Sequence, residues 1–321
     1  GLAVVRNSDK YGFIDKTGKV VIALQFDKAW DFSEGLAVVS QDGKYGFIDK
    51  TGKIVVPFQF DEISDFIDDL AIVRKDDKYG FIDKTGKIVV PLRFDGISEF
   101  IDDLAIVRKD DKYGFIDKTG KIVVPLRFDG VSYFKDGLTI VSQDGKYGFI
   151  DRTGKLITPI QFDQVWDFSE CLAIVSQNDK YGFIDRTGKV VIPVKFDYIS
   201  DFNEGLARIA QNDKWGFIDK VGKVVIPLQF DDAHSFSEGL AIVSQNDKYG
   251  FIDKTGKVVI PLQFDDVWGF SEGLAEVVND DKHGFIDTTG KVVIPLQFDN
   301  ARGFSEGLAT VVKNDKWGFI D

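Results

Sequence analysis

The sequence predicts an all-β protein built from tandem repeats of 34 residues. An aromatic residue followed by glycine, or its equivalent, returns every 34 residues through the 321-residue chain without any insertion. A fixed period in this range is typical of repeat architectures, which grow by stacking. Short runs rich in β-branched residues alternate with turn residues inside each repeat, as strands and turns do. The aromatic position holds Tyr11, Tyr45, Tyr79, Tyr113, Tyr147, Tyr181, Trp215, Tyr249, His283 and Trp317.

The whole chain, residues 1–321, is expected to form a single repeat array. It contains nine full repeats and a partial repeat of 15 residues. Because the chain lacks methionine, even at its start, we interpret it as a processed or excised piece of a longer protein. A cell-surface or secreted location is favoured.

Three strands are predicted within each repeat, and residues 36–39, 44–49 and 53–56 show them in one copy. Connections this short permit only antiparallel pairing. The second turn ends at Gly52, which suits the left-handed residue that follows a type I turn. Proline cannot donate to a ladder, so pairing is expected to end or to reach an edge at Pro57.

The segment after the third strand is too apolar to be a free loop. Phe60, Ile63 and Phe66 recur in it as apolar positions, and we expect them to fill the gap between adjacent sheets. Part of this linker is expected to add a short fourth strand to each three-stranded sheet.

Apolar residues follow one another directly in the third strand, at Ile54, Val55 and Val56. A sheet with one face in water would alternate apolar and polar residues, so both faces of each sheet must be covered. The next repeat's sheet is the natural cover. We therefore predict sheets stacked face to face in a β-propeller-like array, with an open superhelical β-solenoid as the alternative. The hairpin occurs ten times and the third strand nine times, whereas a closed ring of whole blades needs equal numbers of both. An open array should carry atypical capping repeats, and these are missing too.

Composition limits the classes of partner. The formal charge of −12 and the pI of about 4.8 disfavour binding to nucleic acid. No run of about 18 apolar residues is present, so no membrane span is predicted. The single cysteine, Cys171, excludes both an internal disulfide framework and a thiolate-cluster metal site.

No catalytic constellation is visible, so we expect no enzymatic activity, no cofactor and no metal site. His234 and His283 occupy different repeat positions, and neither has a nucleophile pattern nearby. The regularly placed carboxylates have equivalents in other repeats, whereas acid–base pairs need one special environment. We interpret the Phe-Asp aspartates as turn residues that accept backbone N–H bonds, with calcium binding as the alternative. They are Asp27, Asp61, Asp95, Asp129, Asp163, Asp197, Asp231, Asp265 and Asp299.

The pattern YGFID-KTGK, an apolar run, proline, FD and FSEGLA resembles the WG-type tandem repeat of bacteria. The Trp-Gly pair that names this family stands at Trp215-Gly216 and Trp317-Gly318, and tyrosine replaces most of the other tryptophans. The resemblance covers the whole chain. It implies an all-β module for binding or scaffolding, usually without catalysis, and it implies no particular ligand. The layout also looks loosely like a shortened propeller blade of the WD40 kind.

The candidate binding residues lie in the linker, where the repeats differ most. An apolar residue such as Ala29 or Ile63 anchors the segment, while the residues on either side of it vary. Exposed tryptophan and arginine are frequent binding anchors, although neutral drift at solvent positions explains the variation equally well. We predict a non-catalytic binding or scaffold module that presents a repeated rim to a protein or glycan. The alternative is a structural spacer or filament element that associates with itself. The candidate residues are Trp30, Trp166, Tyr198, His234, Trp268 and Arg302.

Overall fold

The structure is a computed structural model that describes all 321 residues, Gly1–Asp321. It contains 37 β-strands and no helix, which confirms the predicted all-β class. No helix is present that could cross a membrane. The chain divides into two compact units, Gly1–Ile160 and Gln161–Asp321, and each consists of the same repeating sheet.

Each repeat contributes four kinds of strand, and the first two form a hairpin. The first hairpin strands are β1 (Ala3–Asn7), β5 (Leu36–Gln41), β9 (Leu70–Lys75), β13 (Leu104–Lys109), β17 (Leu138–Gln143), β20 (Leu172–Gln177), β24 (Leu206–Gln211), β28 (Leu240–Gln245), β32 (Leu274–Asn279) and β36 (Ala309–Lys313). The second are β2 (Lys10–Ile14), β6 (Lys44–Asp49), β10 (Lys78–Asp83), β14 (Lys112–Asp117), β18 (Lys146–Asp151), β21 (Lys180–Asp185), β25 (Lys214–Asp219), β29 (Lys248–Asp253), β33 (Lys282–Asp287) and β37 (Lys316–Ile320).

The third strand and the linker strand lie at opposite edges of the sheet. The third strands are β3 (Val20–Phe26), β7 (Ile54–Phe60), β11 (Ile88–Phe94), β15 (Ile122–Phe128), β22 (Val190–Phe196), β26 (Val224–Phe230), β30 (Val258–Phe264) and β34 (Val292–Phe298). The linker strands are β4 (Lys28–Ala29), β8 (Glu62–Ile63), β12 (Gly96–Ile97), β16 (Gly130–Val131), β19 (Gln164–Val165), β23 (Tyr198–Asn203), β27 (Asp232–Ala233), β31 (Asp266–Val267) and β35 (Asn300–Ala301).

A complete sheet has four antiparallel strands in the order β4-β5-β6-β7, so the predicted short fourth strand is confirmed. Pro57 is accommodated at the edge, as predicted, but the third strand does not stop there. It continues to Phe60, because Val56 pairs with Phe47 and Phe60 pairs with Tyr45. The residues between these two pairs bulge out of the ladder, and Pro57 lies among them, where no N–H is needed.

The turn between the second and third strands is held by one aspartate. The Asp49 carboxylate accepts hydrogen bonds from Thr51 Oγ1 at 2.5 Å, Thr51 N at 2.8 Å and Lys53 N at 3.1 Å. Gly52 adopts φ = +85°, the left-handed conformation that the sequence predicts. This closed turn recurs with the KTG motif and fixes the register of the third strand.

The fifth repeat lacks a regular third strand, and Thr158 explains the exception. Thr158 stands where the other repeats have a buried Val56 or Ile192, and only 1% of its surface is exposed. Its Oγ1 accepts the backbone N–H of Phe149 at 2.9 Å, so a side chain replaces a ladder hydrogen bond. The resulting sheet, β16-β17-β18, has three strands.

The core consists of separate clusters between successive sheets, four within each unit. In one of them, Val38, Phe47 and Val56 of one sheet pack on Ala71, Val73 and Ile82 of the next. This face-to-face packing within each unit confirms that both faces of most sheets are covered. The linker closes the gap as predicted: Phe66 is 4% exposed, and its ring centroid lies 4.6 Å from that of Phe47. By contrast, Ile54 is 49% exposed, because it begins the edge strand β7 beside the turn.

Candidate functional site

Grooves at the linker edge of successive sheets are the candidate site. The short strand β4 ends at Ala29, and the backbone N–H of Trp30 then donates to Val38 O at 3.0 Å. Across the sheet, Ser40 lies opposite both Lys28 and Tyr45, which brings linker side chains toward the hairpin aromatic. The ring centroids of Trp30 and Tyr45 are 5.9 Å apart, and the planes are tilted by 46°.

The same aromatic pair is found in the second unit with nearly identical geometry. The ring centroids of Trp166 and Tyr181 are 6.0 Å apart, and the planes are again tilted by 46°. The third linker tryptophan, Trp268, stacks on His283 at 6.0 Å with an interplanar angle of 25°. The three tryptophans are 41–44% exposed, so each ring is supported on one side and open to a ligand on the other.

The two Trp–Tyr pairs each form one wall of a cleft, and the next repeat supplies the opposite wall. The first cleft has a volume of about 340 Å³ and is lined by Trp30, Val38, Tyr45 and residues 62–65. The second, of about 580 Å³, is lined by residues at the same repeat positions and by several more. The opposite walls share the sequence Ile-Ser-Asp, at 63–65 and at 199–201. We call these the Trp30 groove and the Trp166 groove.

A third cleft, of about 250 Å³, occupies the equivalent place in a repeat that has no linker tryptophan. Ser98 replaces the tryptophan there, and the cleft is lined by Tyr113, Arg108 and Tyr133 among others. The groove is therefore a property of the repeat, while its aromatic content varies with the linker.

The six predicted binding residues do not form one site. Trp166 and Tyr198 line one cleft, the Trp166 groove, so the structure brings these two together. Arg302 lies over the ring of Trp317, with its Cζ 5.9 Å from the ring centroid. His234 is exposed, and its Nε2 lies 3.5 Å from Asp232 Oδ2 of its own linker. Trp30 and Trp268 each belong to a separate aromatic pair.

Tyr198 also belongs to a cluster that sequence reasoning missed. The Arg208 guanidinium lies 5.1 Å from the Tyr198 ring centroid and 4.8 Å from that of Trp215, and its Nη2 donates to Tyr198 Oη at 3.1 Å. Its Nη1 donates to Ala233 O of the next repeat, and its buried Nε has no partner in the protein. The available signal was that Arg208 occupies the strand position of Val38, where most repeats have an aliphatic residue.

Glu276 occupies the same repeat position as Arg208. It forms a buried titratable pair with His283. Its side chain is 4% exposed, and Oε1 lies 2.6 Å from His283 Nδ1. Burial raises the pKa of Glu276, and the hydrogen bond from His283 partly offsets this effect. Since Trp268 stacks on His283, this sheet edge has a hydrogen-bonded Glu–His pair where most other repeats have an aliphatic residue and tyrosine.

The Phe-Asp aspartates have the structural role that the sequence predicts. Asp27 Oδ2 accepts the backbone N–H of Asp42 at 2.7 Å, and Asp27 Oδ1 accepts Lys10 Nζ at 2.7 Å. These two contacts, with Lys10 the stronger, lower the pKa of Asp27. At least eight of the nine aspartates make both contacts, and each of these ties one hairpin tip to the lysine of the preceding hairpin. No group of three or more His, Cys, Asp or Glu side chains is arranged to hold a metal ion.

These features define a tandem β-repeat protein with aromatic grooves between its sheets. The family model described as WG containing repeat matches residues 11–45, 45–79, 79–113, 113–147, 147–181, 181–215, 215–249, 249–282 and 284–317. The chain therefore belongs to the WG-containing repeat family, as the resemblance of its motifs predicted.

Similar solved structures share little sequence with this chain. A eukaryotic initiation factor is 14% identical with a TM-score of 0.38, and the match covers 91% of this chain and 94% of that one. An extracellular domain from B. thetaiotaomicron is 10% identical with a TM-score of 0.31, and the match covers 98% of this chain but 55% of that one. Kluyveromyces lactis Hsv2 is 11% identical with a TM-score of 0.30, with 78% and 93% covered. A search of curated proteins by sequence found no match.

Proposed function

We propose that this protein is a non-catalytic binding module that holds a protein or glycan ligand in its aromatic grooves. The observation that carries the proposal is the repetition of one groove in both units. Trp30 with Tyr45, and Trp166 with Tyr181, have the same spacing and tilt and the same Ile-Ser-Asp segment opposite them. Such agreement supports a shared use of the groove as a binding surface in both units, with individual side chains adjusting its chemistry.

The grooves have the properties of binding anchors. Their tryptophans are partly exposed, yet each is held by a strand hydrogen bond and by a neighbouring ring, so little side-chain entropy is lost on binding. Aromatic anchors in partly enclosed clefts contribute a large share of interface energy. Two grooves on one chain also favour ligands with repeated features, because the second contact forms intramolecularly.

The carboxylates support a role without catalysis. Asp27 of a Phe-Asp pair and Asp49 of a KTG turn show the pattern: hydrogen bonds from Lys10 and from Thr51, respectively, lower the pKa values of these carboxyl groups and keep them ionised. A general acid would need the opposite shift. The raised pKa of Glu276 belongs to a buried carboxylate that is hydrogen-bonded to His283, on which Trp268 stacks.

The test compares the wild-type chain with a Trp30→Ala/Trp166→Ala/Trp268→Ala variant on glycan and peptide arrays. We expect binding of the recognised array ligands to weaken by at least about tenfold, since each lost anchor contributes 1 kcal/mol or more, on the order of typical hot spots. Val221→Ala serves as the matched control, because Val221 is 77% exposed and lies in a turn away from the grooves. Equal binding by the wild type and the triple variant would refute the proposal.

A further inference from the structure

We propose that the Trp166 groove binds an organic cation, the ammonium or guanidinium group of a ligand, between Trp166, Tyr181 and Asp201. This inference rests on the proposed binding function and specifies the chemistry that the ligand must present.

The chain places its own cations over the hairpin aromatic in five repeats. The distances from the cationic Nζ or Cζ atom to the ring centroid are 4.8–6.0 Å, within the range of a cation–π interaction. The ring at this repeat position is therefore an acceptor for ammonium and guanidinium groups. The pairs are Arg6 over Tyr11, Lys28 over Tyr45, Arg74 over Tyr79, Arg208 over Trp215 and Arg302 over Trp317.

Tyr181 is the hairpin aromatic of its repeat, but no cationic side chain of the protein lies over its ring. Trp166 lies against it instead. The cations of the other five repeats come from four repeat positions, and each of these positions holds a neutral residue in the repeat of Tyr181. These neutral residues are Gln164, Trp166, Ile174 and Ser176.

Asp201 provides the charge that complements such a ligand. It lines the same cleft, is exposed, and its carboxylate forms no ion pair within the protein. Arg208 also lines the cleft, but it is engaged by Tyr198 Oη and Ala233 O and stacks on Tyr198 and Trp215. The cleft therefore already holds one guanidinium between rings, and the carboxylate of Asp201 remains available for another cation.

The composition of the groove favours an organic cation over a metal ion or a neutral sugar. Aromatic faces attract a cation through their quadrupole but donate no lone pair to a metal. Guanidinium and alkylated ammonium groups are weakly hydrated, so transfer into an aromatic cleft costs little. The Ser200 hydroxyl is already used, because it donates to Asp201 O and accepts the N–H of Arg208, and so offers little to a sugar. The net charge of −12 adds long-range attraction for a cation.

The experiment follows the indole N–H resonances of the five tryptophans in the full chain while choline is added. We expect the Trp166 resonance, assigned with Trp166→Phe, to shift and saturate. The neutral carbon isostere of choline, 3,3-dimethylbutan-1-ol, should leave it in place. Asp201→Asn should weaken choline binding about tenfold, the order of one cation–carboxylate contact in a partly enclosed site. Parallel titrations with a trimethyllysine peptide and an arginine peptide distinguish a free small cation from a cationic side chain as its source.

The Trp30 groove provides a matched control within the same molecule. In that groove the Lys28 ammonium lies over the Tyr45 ring, with Nζ 6.0 Å from the ring centroid and 3.4 Å from Tyr45 Oη. The Trp30 resonance should therefore respond weakly to choline in the wild type. Lys28→Gln installs the residue found at Gln164 and should make the Trp30 resonance respond as Trp166 does.

Two results would overturn the inference: an equal response of Trp166 to choline and to its neutral isostere, or undiminished choline binding by Asp201→Asn. Either result leaves the proposed function standing if array ligands still require the three tryptophans. Conversely, array binding that is unaffected by the triple variant removes the proposed function, whatever the choline titration shows. Thermal melts of each variant confirm that the fold is retained.

Discussion

At the residue scale, the glycine after each hairpin aromatic is required by the close approach of the third strand. A Cβ on Gly182 would lie 2.5 Å from Ile192 O and 2.8 Å from the carbonyl atoms of Pro193. The bulge at Pro193 brings this backbone over the glycine, since Tyr181 pairs with Phe196 while Phe183 pairs with Ile192. The repeated motif is therefore aromatic-Gly because a neighbouring backbone occupies the space of a side chain.

Gly182→Ala should destabilise the protein by about 3 kcal/mol, because the contact is with backbone atoms that cannot turn aside. The urea midpoint of the second unit should fall accordingly. Gly269→Ala is the matched control, since its Cβ would meet no atom within 4 Å. A midpoint for Gly182→Ala equal to that of the control would contradict this explanation of the motif.

At the same scale, the sequence identified exposed tryptophans but not the rings against which they pack. Variation between repeats points to Trp30 and Trp166, but it does not point to Tyr45 and Tyr181, because an aromatic residue recurs at their position. The strand register places these tyrosines on the face toward which the linker side chains point. A residue can thus be part of the repeat and part of the site, and recurrence alone does not separate the two roles.

At the scale of the element, the β32–β33 hairpin differs from the others in having a buried acid. Glu276 and His283 stand where the preceding hairpin has Ile242 and Tyr249, so the two changes occur together. The 2.6 Å contact between Glu276 Oε1 and His283 Nδ1 explains why the two changes occur together. A buried carboxylate needs a hydrogen-bonding partner, and the histidine supplies one.

The raised pKa of Glu276 predicts a pH dependence of stability in this hairpin. The folded state binds this proton more tightly than the unfolded chain does. Stability should therefore fall as the pH rises from the ordinary glutamate pKa, about 4.3, through the higher pKa of the folded state. The variant Glu276→Ile/His283→Tyr should be more stable than the wild type at neutral pH and should lose this part of the pH dependence.

The measurement is the melting temperature of both proteins across that pH range. Glu238→Gln is the control, because it removes an exposed carboxylate of the adjacent repeat and leaves the Glu276–His283 pair intact. A double variant that keeps the slope of the wild type would show that another group is responsible.

At the scale of the whole molecule, stability is distributed along the chain. Each core cluster joins neighbouring sheets, and ion pairs such as Lys84–Glu34 at 2.9 Å and Lys254–Glu204 at 2.9 Å join repeats within a unit. A repeat protein of this kind is stabilised by intrinsic terms for each repeat and by interfaces between neighbours. Removal of one complete repeat should therefore preserve the remaining interfaces.

Deletion of residues 103–136 tests this expectation. That repeat differs from residues 69–102 at three positions, Ile97/Val131, Glu99/Tyr133 and Ile101/Lys135, so the new junction restores nearly the same contacts. We expect a folded protein with unchanged circular dichroism per residue. Deletion of residues 103–119, half a repeat, should abolish the fold of the first unit, because it changes the order of the strands. An unfolded product from the 34-residue deletion would show that the array depends on a fixed number of repeats.

The sequence by itself determined the repeat, the all-β class, the hairpins, the turn at Gly52 and the burial of Phe60 and Phe66. These follow from local periodicity and turn chemistry, which act over a few residues. Only the tertiary structure decided that the third strand continues past Pro57 and that the Thr158 side chain replaces a ladder hydrogen bond in the fifth repeat. It also decided that Trp166 and Tyr181 form a groove with Asp201. Those outcomes depend on strand register and on contacts between successive sheets, and a linear pattern of residue types does not specify the distance between side chains that the fold brings together.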